Sequence, residues 1–198
     1  MKFTANRMDV EVLPVDFLGF IFYYKSKRYV GDDPPVQLFN GDKPKVGVFV
    51  DENVSFIFSK TKRYGLNWVQ LHGKETPQTC KLIKNQGLKL IKVFNVDESF
   101  DFQKTIAYEK VTDYFLFDTK TTLPGGSGKK FNWKILENYH GTTPFFLSGG
   151  ITSEDATSIN KIDHKQLAGI DVNSGFEDSP GKKNIEKLRK FIKEIRSA

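Results

Sequence analysis

The chain has 198 residues, the size of one domain with a substantial core. Its net charge of +6 comes from lysines spread along the chain, so it reads as solvated helix faces and fits an anionic substrate as well as a nucleic acid. The single cysteine excludes an internal disulfide and fits a reducing, cytoplasmic setting; no apolar run approaches the ~20 residues of a bilayer span, and no charged lead with an apolar core marks a signal peptide.

Residues 1–16 are polar apart from a helix-like patch over Met8 to Leu13, which Pro14 limits. Phe17 to Tyr23 reads as a buried strand running into a basic loop, Lys25-Ser26-Lys27-Arg28-Tyr29. Residues 32–44 hold three prolines and read as loop with a short helix. A regular alternation follows: strand 46–50, helix 53–64, strand 68–73, helix 76–86 with Pro77 near its start, strand 88–96, helix 102–110, strand 114–119, a glycine-rich loop and a short helix near 132–138. Strand 144–148, helix 153–160 with Ser153 as N-cap, strand 168–172 and an amphipathic helix 184–195 complete it. The frequency of Phe, 18 residues, predicts an aromatic interior.

Strands alternating with helices at this spacing predict a parallel sheet with helical crossovers in a single domain over 1–198. Seven strands are visible. A (β/α)8 barrel needs one more, and an open doubly wound sheet accepts seven. The pattern alone leaves both open, although no early Gly-x-Gly-x-x-Gly turn supports a dinucleotide-binding sheet.

Chemistry in such folds sits at the carboxyl ends of strands. Tyr114-Phe115-Leu116-Phe117 delivers one acid, Asp118, at such an end, and Gly125-Gly126-Ser127-Gly128 comes next as a candidate lid. A turn-capping role for Asp118 is the plain alternative. The last two strands end alike, in Ser148-Gly149-Gly150 and Asn173-Ser174-Gly175. Glycine lets backbone N–H groups approach an anion, so these turns read as a phosphate site, against ordinary turn glycine. His72 ends a strand without a second His or Cys at ligand spacing, so it reads as a pore-mouth or structural residue and no metal is expected. Cys80 falls in a helix and reads as packing. The Tyr23, Tyr24, Lys25, Lys27, Arg28 and Tyr29 cluster suits nucleic acid only weakly, since the alternation matches no nucleic-acid module.

Taken together, the stretches Leu18-Gly19-Phe20-Ile21-Phe22-Tyr23 with Lys25 to Val30, Val46 to Val50, Val69-Gln70-Leu71-His72-Gly73, Phe117-Asp118 with Gly125 to Gly128, Leu147 to Ile151, and Asp171 to Glu177 resemble the phosphoribosylanthranilate isomerase family, in that family's order. The resemblance implies a (β/α)8 barrel and an Amadori rearrangement in tryptophan biosynthesis, without cofactor or metal. It implies Asp118 as general acid, a carboxyl that must keep its proton through apolar walls, for which the neighbouring phenylalanines are candidates, or through a nearby negative charge. It further implies Arg28 on the anthranilate carboxylate, Gly149, Gly150, Ser174 and Gly175 on the phosphate, Asp171 in support, and residues 125–128 as the lid. The implied partner is a small phosphorylated substrate, with no nucleic acid or membrane, for a monomer or homodimer.

One departure stands against the match. The family's general base is a cysteine in a Lys-x-Cys-Gly motif on the first strand, and this sequence has no such motif; Met1-Lys2-Phe3 fits the residues that come directly after the Cys-Gly pair. The expectation is therefore a barrel lacking its first strand, N-terminally truncated, with impaired turnover and exposed strand edges that favour aggregation. The alternatives are a catalytically dead barrel that binds a phosphorylated ligand, a different residue as base, or another phosphate-binding barrel enzyme such as indole-glycerol-phosphate synthase.

Overall fold

The computed structural model describes residues 1–120 and 130–197. Seven parallel strands form one sheet in strict chain order: β1 (Leu18–Ile21), β2 (Lys45–Phe49), β3 (Trp68–Leu71), β4 (Lys89–Val96), β5 (Tyr114–Thr119), β6 (Phe145–Leu147) and β7 (Leu167–Ile170). A doubly wound sheet reverses its strand order at a switch point, and this one never does. The sheet is the incomplete (β/α)8 barrel expected from the sequence, with seven strands. Among the described residues the outer edge of β1 meets only an isolated bridge, Ile21 to Tyr29, and no strand pairs with the outer edge of β7.

Both faces of the sheet are buried, which is why the strands read as continuous apolar runs. Val46, Ile91, Val93 and Leu116 point into the barrel. Phe20, Phe49, Leu71, Phe94, Phe115, Phe117 and Phe145 point outward under the helical layer. Four aromatic rings close the barrel floor in a circuit: Phe17 to Trp68 at 5.0 Å, Trp68 to Tyr114 at 5.6 Å, Tyr114 to Phe146 at 4.7 Å and Phe146 back to Phe17 at 5.9 Å. Trp68 is thus a packing residue.

The helices are α1 (Thr4–Glu11), α2 (Val54–Tyr64), α3 (Pro77–Lys84), α4 (Ala156–Ile159) and α5 (Ile185–Arg196). Local chemistry sets their ends. Asn53, Thr76 and Asn184 each accept a backbone N–H of the first turn, and Gly65 closes α2 in the left-handed region at φ 60°. The first helix begins at Thr4, earlier than the sequence pattern indicated. Residues 102–108 and 133–138 are 3-10 turns, and the run from 153 divides into a 3-10 turn followed by α4. Its start is fixed by Thr152 and not by Ser153: the Thr152 amide and hydroxyl both donate to the Asp155 carboxylate, at 2.7 and 3.1 Å. After β7 a short hairpin, β8 (Glu177–Ser179) with β9 (Lys182–Lys183), leads into α5.

Polar contacts bridge the seam between β1 and β7. Asn6 on α1 pairs with the Lys183 backbone in both directions, at 2.9 and 2.7 Å, and Arg196 on α5 meets Asp16 at 2.8 Å on the floor side. The Met1 amine donates to the Gly19 carbonyl on the free edge of β1.

Candidate active site

A cavity of about 1110 Å³ opens at the carboxyl ends of the strands and runs down along the seam. Asp118, His72, Arg28, Asp171, Ser148, Gly149, Gly150 and Ser174 all line it. The structure therefore gathers nearly every candidate from the sequence into one mouth. Gly175 lies behind the lining, its Cα packed against the Ile151 carbonyl, so its turn abuts the strand end that carries Gly149 and Gly150. The candidate lid, Gly125, Gly126, Ser127 and Gly128, lies outside the described residues.

Asp118 occupies the end of β5, where alternation sends Leu116 and Asp118 inward and Phe115 and Phe117 outward. The adjacent phenylalanines therefore do not wall the acid. Its immediate partner is His72, whose Nε2 lies 3.3 Å from Asp118 Oδ2. Gln70 Nε2 stands 3.4 Å from His72 Nδ1, a long contact on the other side of the ring. Asp118 Oδ1 accepts the Thr119 amide at 2.9 Å, which fixes the second oxygen.

Asp171 lies just beyond β7. Its Oδ2 accepts the Ser148 hydroxyl at 3.2 Å, and its amide donates to the Leu147 carbonyl at the end of β6. Burial pushes its carboxyl above the usual range and the Asp118 charge pushes the same way, with Lys183, Ser148 and His72 pulling back. The side chain touches the water of the cavity while ringed by protein, so burial acts on it less than on a dry carboxyl. Asp171 is thus a second carboxyl in the mouth, and the shift falls on it.

The turn after β6 has glycine for a steric reason. Gly149 and Gly150 have φ of 95° and 64°, and a Cβ on Gly149 would strike the Thr119 backbone and hydroxyl. The Thr119 hydroxyl oxygen is itself buried without a partner among the described residues.

Arg28 departs from the simplest expectation. Its Nε meets both oxygens of Glu177, at 3.0 and 2.8 Å, and its Nη2 meets Oε2 at 2.7 Å. One edge of the guanidinium is thus committed inside the protein, and the rest borders the cavity. Burial pushes the Glu177 carboxyl up, but Arg28 and Lys183 outweigh it and hold the carboxyl below its usual range.

A second buried pair frames the strand ends. Lys92 Nζ bonds Glu75 Oε2 at 2.9 Å and the carbonyls of Leu71 and Gly73 at 3.3 and 2.7 Å. Glu75 Oε1 accepts the amides of Asp51 and Gly73, at 2.9 and 3.1 Å. The pair thereby fixes the loops after β2 and β3, and with them His72. Cys80 is buried on α3, and burial pushes its thiol up to about 11, consistent with packing. Among the described residues no cluster of three or more His, Cys, Asp or Glu is placed to hold a metal ion.

The sequence and the fold both have known relatives. The family model for N-(5'-phosphoribosyl)anthranilate (PRA) isomerase matches residues 6–194. The chain belongs to this family. It is 45% identical over 199 residues to the N-(5'-phosphoribosyl)anthranilate isomerase of Parabacteroides distasonis, covering 98% of this chain and 90% of that one. It is 42% identical over 196 residues to that of Phocaeicola vulgatus, covering 99% and 95%. Among solved structures, phosphoribosyl anthranilate isomerase from Thermotoga maritima superposes with a TM-score of 0.89 at 31% identity, over 100% of this chain and 96% of that one. Another, in complex with reduced 1-(o-carboxyphenylamino)-1-deoxyribulose 5-phosphate, gives 0.85 at 28% identity, with the same coverage. The chain is thereby placed among the isomerases of tryptophan biosynthesis.

Sequence reasoning about this family member misses two groups of residues. It marks His72 as a pore-mouth residue without its contact to Asp118; both end strands, and that shared level is the available signal. Lys92 stands inside the apolar run from Leu88 to Val96, where a buried charge demands a buried partner.

Proposed function

We propose that the mouth of this barrel rearranges N-(5-phosphoribosyl)anthranilate to 1-(2-carboxyphenylamino)-1-deoxyribulose 5-phosphate, with Asp118 as general acid. Asp118 gives its proton to the ribose ring oxygen, the C1–O bond breaks, and the amine nitrogen lone pair forms the Schiff base. Removal of the C2 proton by a base then gives the enolamine, which tautomerises to the ketone. Atoms and charge balance, and no redox partner is needed. The observation that carries this reading is the convergence on one cavity of Asp118, backed by His72, with the glycine turn after β6 and the Ser174 turn after β7. The turns suit the phosphate because their backbone can approach an anion closely. The uncommitted side of Arg28 suits the anthranilate carboxylate. Asp171 lines the same mouth, holding the Ser148 hydroxyl, and takes the supporting role.

The base is the weak point of this chain. Its one cysteine, Cys80, is buried on the outer layer, away from the cavity. With no thiol lining the cavity, C2 deprotonation is the step expected to limit turnover by these 198 residues. A second reading, a barrel that binds a phosphorylated ligand without converting it, rests on the same observation. Calorimetry with the reduced product analogue, together with a fluorescence assay of turnover, separates them. Binding with slow but Asp118-dependent turnover supports the isomerase; binding with none supports the second reading; absence of binding overturns both.

The same proposal takes residues 1–198 as one barrel domain, supported by the single seven-stranded sheet around one cavity. It places the protein in the cytoplasm, supported by its family; no helix among the described residues is long and apolar enough to cross a membrane. A relative from Thermotoga maritima is described as dimeric, and sedimentation of this chain decides between monomer and homodimer.

A further inference from the structure

We propose that Glu177 is a positioning residue that couples the two ends of the substrate site across the barrel seam. This rests on the placement above of phosphate on the turns and of the aromatic carboxylate on Arg28. Glu177 is 3% exposed at its side chain and collects two cations from opposite sides of the seam. From the β1 side comes Arg28, held by its Nε and Nη2 edge. From the hairpin side comes Lys183, whose Nζ lies 2.9 Å from Glu177 Oε1.

Lys183 does not stop at Glu177. The same Nζ donates to Asn173 Oδ1 at 2.6 Å and to the Asn173 carbonyl at 3.2 Å. Asn173 opens the turn that carries Ser174 and Gly175. One carboxylate therefore joins the Arg28 side chain to the candidate phosphate turn, where no strand-to-strand hydrogen bonds join β1 to β7. Asn6 grips the Lys183 backbone from α1, so the hairpin is anchored independently of the ligand.

Two physical points favour positioning over stability. Buried ion clusters are a poor source of stability, because desolvation offsets the attraction and apolar replacements do as well. The contacts are also direct: Glu177 meets Arg28 and Lys183 at 2.7 to 3.0 Å beside a cavity proposed to take two anionic groups, with Asp171 the next carboxyl in reach of Lys183. Holding the side edge of Arg28 against Glu177 aims its remaining N–H groups, so the planar carboxylate meets a preset fork.

The test measures inorganic phosphate and anthranilate binding to the full chain by NMR titration, each alone and with the other saturating. For the unmodified protein, phosphate should strengthen anthranilate binding by about fivefold, with the reciprocal effect of the same size, as linkage requires. Glu177→Gln should weaken both ligands by about tenfold and bring the coupling to about one, the loss expected when a charge-assisted buried contact is broken. Lys183→Met should weaken phosphate and abolish the coupling while leaving anthranilate within about twofold, a split that a general loss of structure does not give. This second variant carries the test if Glu177→Gln does not fold. Binding of both probes with no coupling, or with coupling that survives both substitutions, overturns the proposal and leaves the isomerase site standing. If the unmodified protein binds neither probe, the placement of the two anionic groups fails and the coupling falls with it.

Discussion

Asp118 and Phe117 are neighbours in the chain and face opposite sides of β5, and that half-turn decides what surrounds the acid. The sequence made Asp118 visible, because an acid at the end of an apolar run is conspicuous. It could not reveal that His72 and Asp171, from other strands, stand closer to its chemistry than its own flanking aromatics. Replacing the acid tests its role: Asp118→Asn should cut turnover by about 10²–10⁴-fold, the usual worth of general acid catalysis, while the product analogue still binds. Undiminished turnover removes Asp118 from the mechanism. For Asp171 the sign is set by a carboxyl raised in the folded state. Such a group favours folding at low pH, where it is protonated in the folded protein, and opposes it once ionised. Asp171→Asn should therefore raise the melting temperature at pH 7 and lose that advantage as pH falls below the ordinary carboxyl range. A melting temperature lowered at pH 7 by this substitution would contradict the assignment. Glu177 has the opposite sign. Its lowered carboxyl stabilises the fold above the unfolded value and loses that contribution as pH falls through the folded one.

At the scale of elements, periodicity revealed the order of strands and helices because each strand is buried on both faces and each helix on one. Cap chemistry at Asn53, Thr76 and Asn184 was equally legible, since it depends on residues within one turn. Which segments became 3-10 was not, because that depends on how little room the neighbouring elements leave. The Lys92–Glu75 pair was also beyond local reasoning, as its partners lie 17 residues apart on separate elements. Both side chains are 3% exposed, so cutting one partner leaves a charge in the interior. Lys92→Met should cost about 3–5 kcal/mol, as for other broken buried pairs. In a chain of this size that lowers the melting temperature by about 2–4 °C for each kcal/mol. Adding Glu75→Gln should recover more than half of the loss, because the amide oxygen still accepts from the Asp51 and Gly73 amides. A double variant no better than the single one would show that the loops, and not the uncompensated charge, carry the cost.

For the whole molecule, the missing eighth strand was inferred from counting, and the structure gives it a physical consequence. Along β1, Leu18 donates to the Pro44 carbonyl and Phe22 to the Val48 carbonyl, so alternation turns the Gly19 amide toward the seam, while the outer side of Ile21 is taken by its bridge to Tyr29. Asp171 donates back to Leu147, which likewise turns Ile170 outward from β7, while the register shift at Phe145 and Phe146 breaks the alternation before it. The barrel centre is different: β4 and β5 pair over six residues, between neighbours on both sides. The aromatic circuit on the floor and the Asn6, Glu177 and Arg196 contacts hold the seam together by side chains, without a ladder. Opening there should therefore need far less than global unfolding. Hydrogen exchange should show the Gly19 and Ile170 amides exchanging roughly a hundredfold or more faster than those of Val93 and Leu116, since local opening energies run from near zero to the global value. The same free edges should make aggregation steeply dependent on protein concentration, because an unpaired edge is a template for another chain. Uniform protection around the sheet would mean that the side-chain contacts close the barrel as firmly as a strand does.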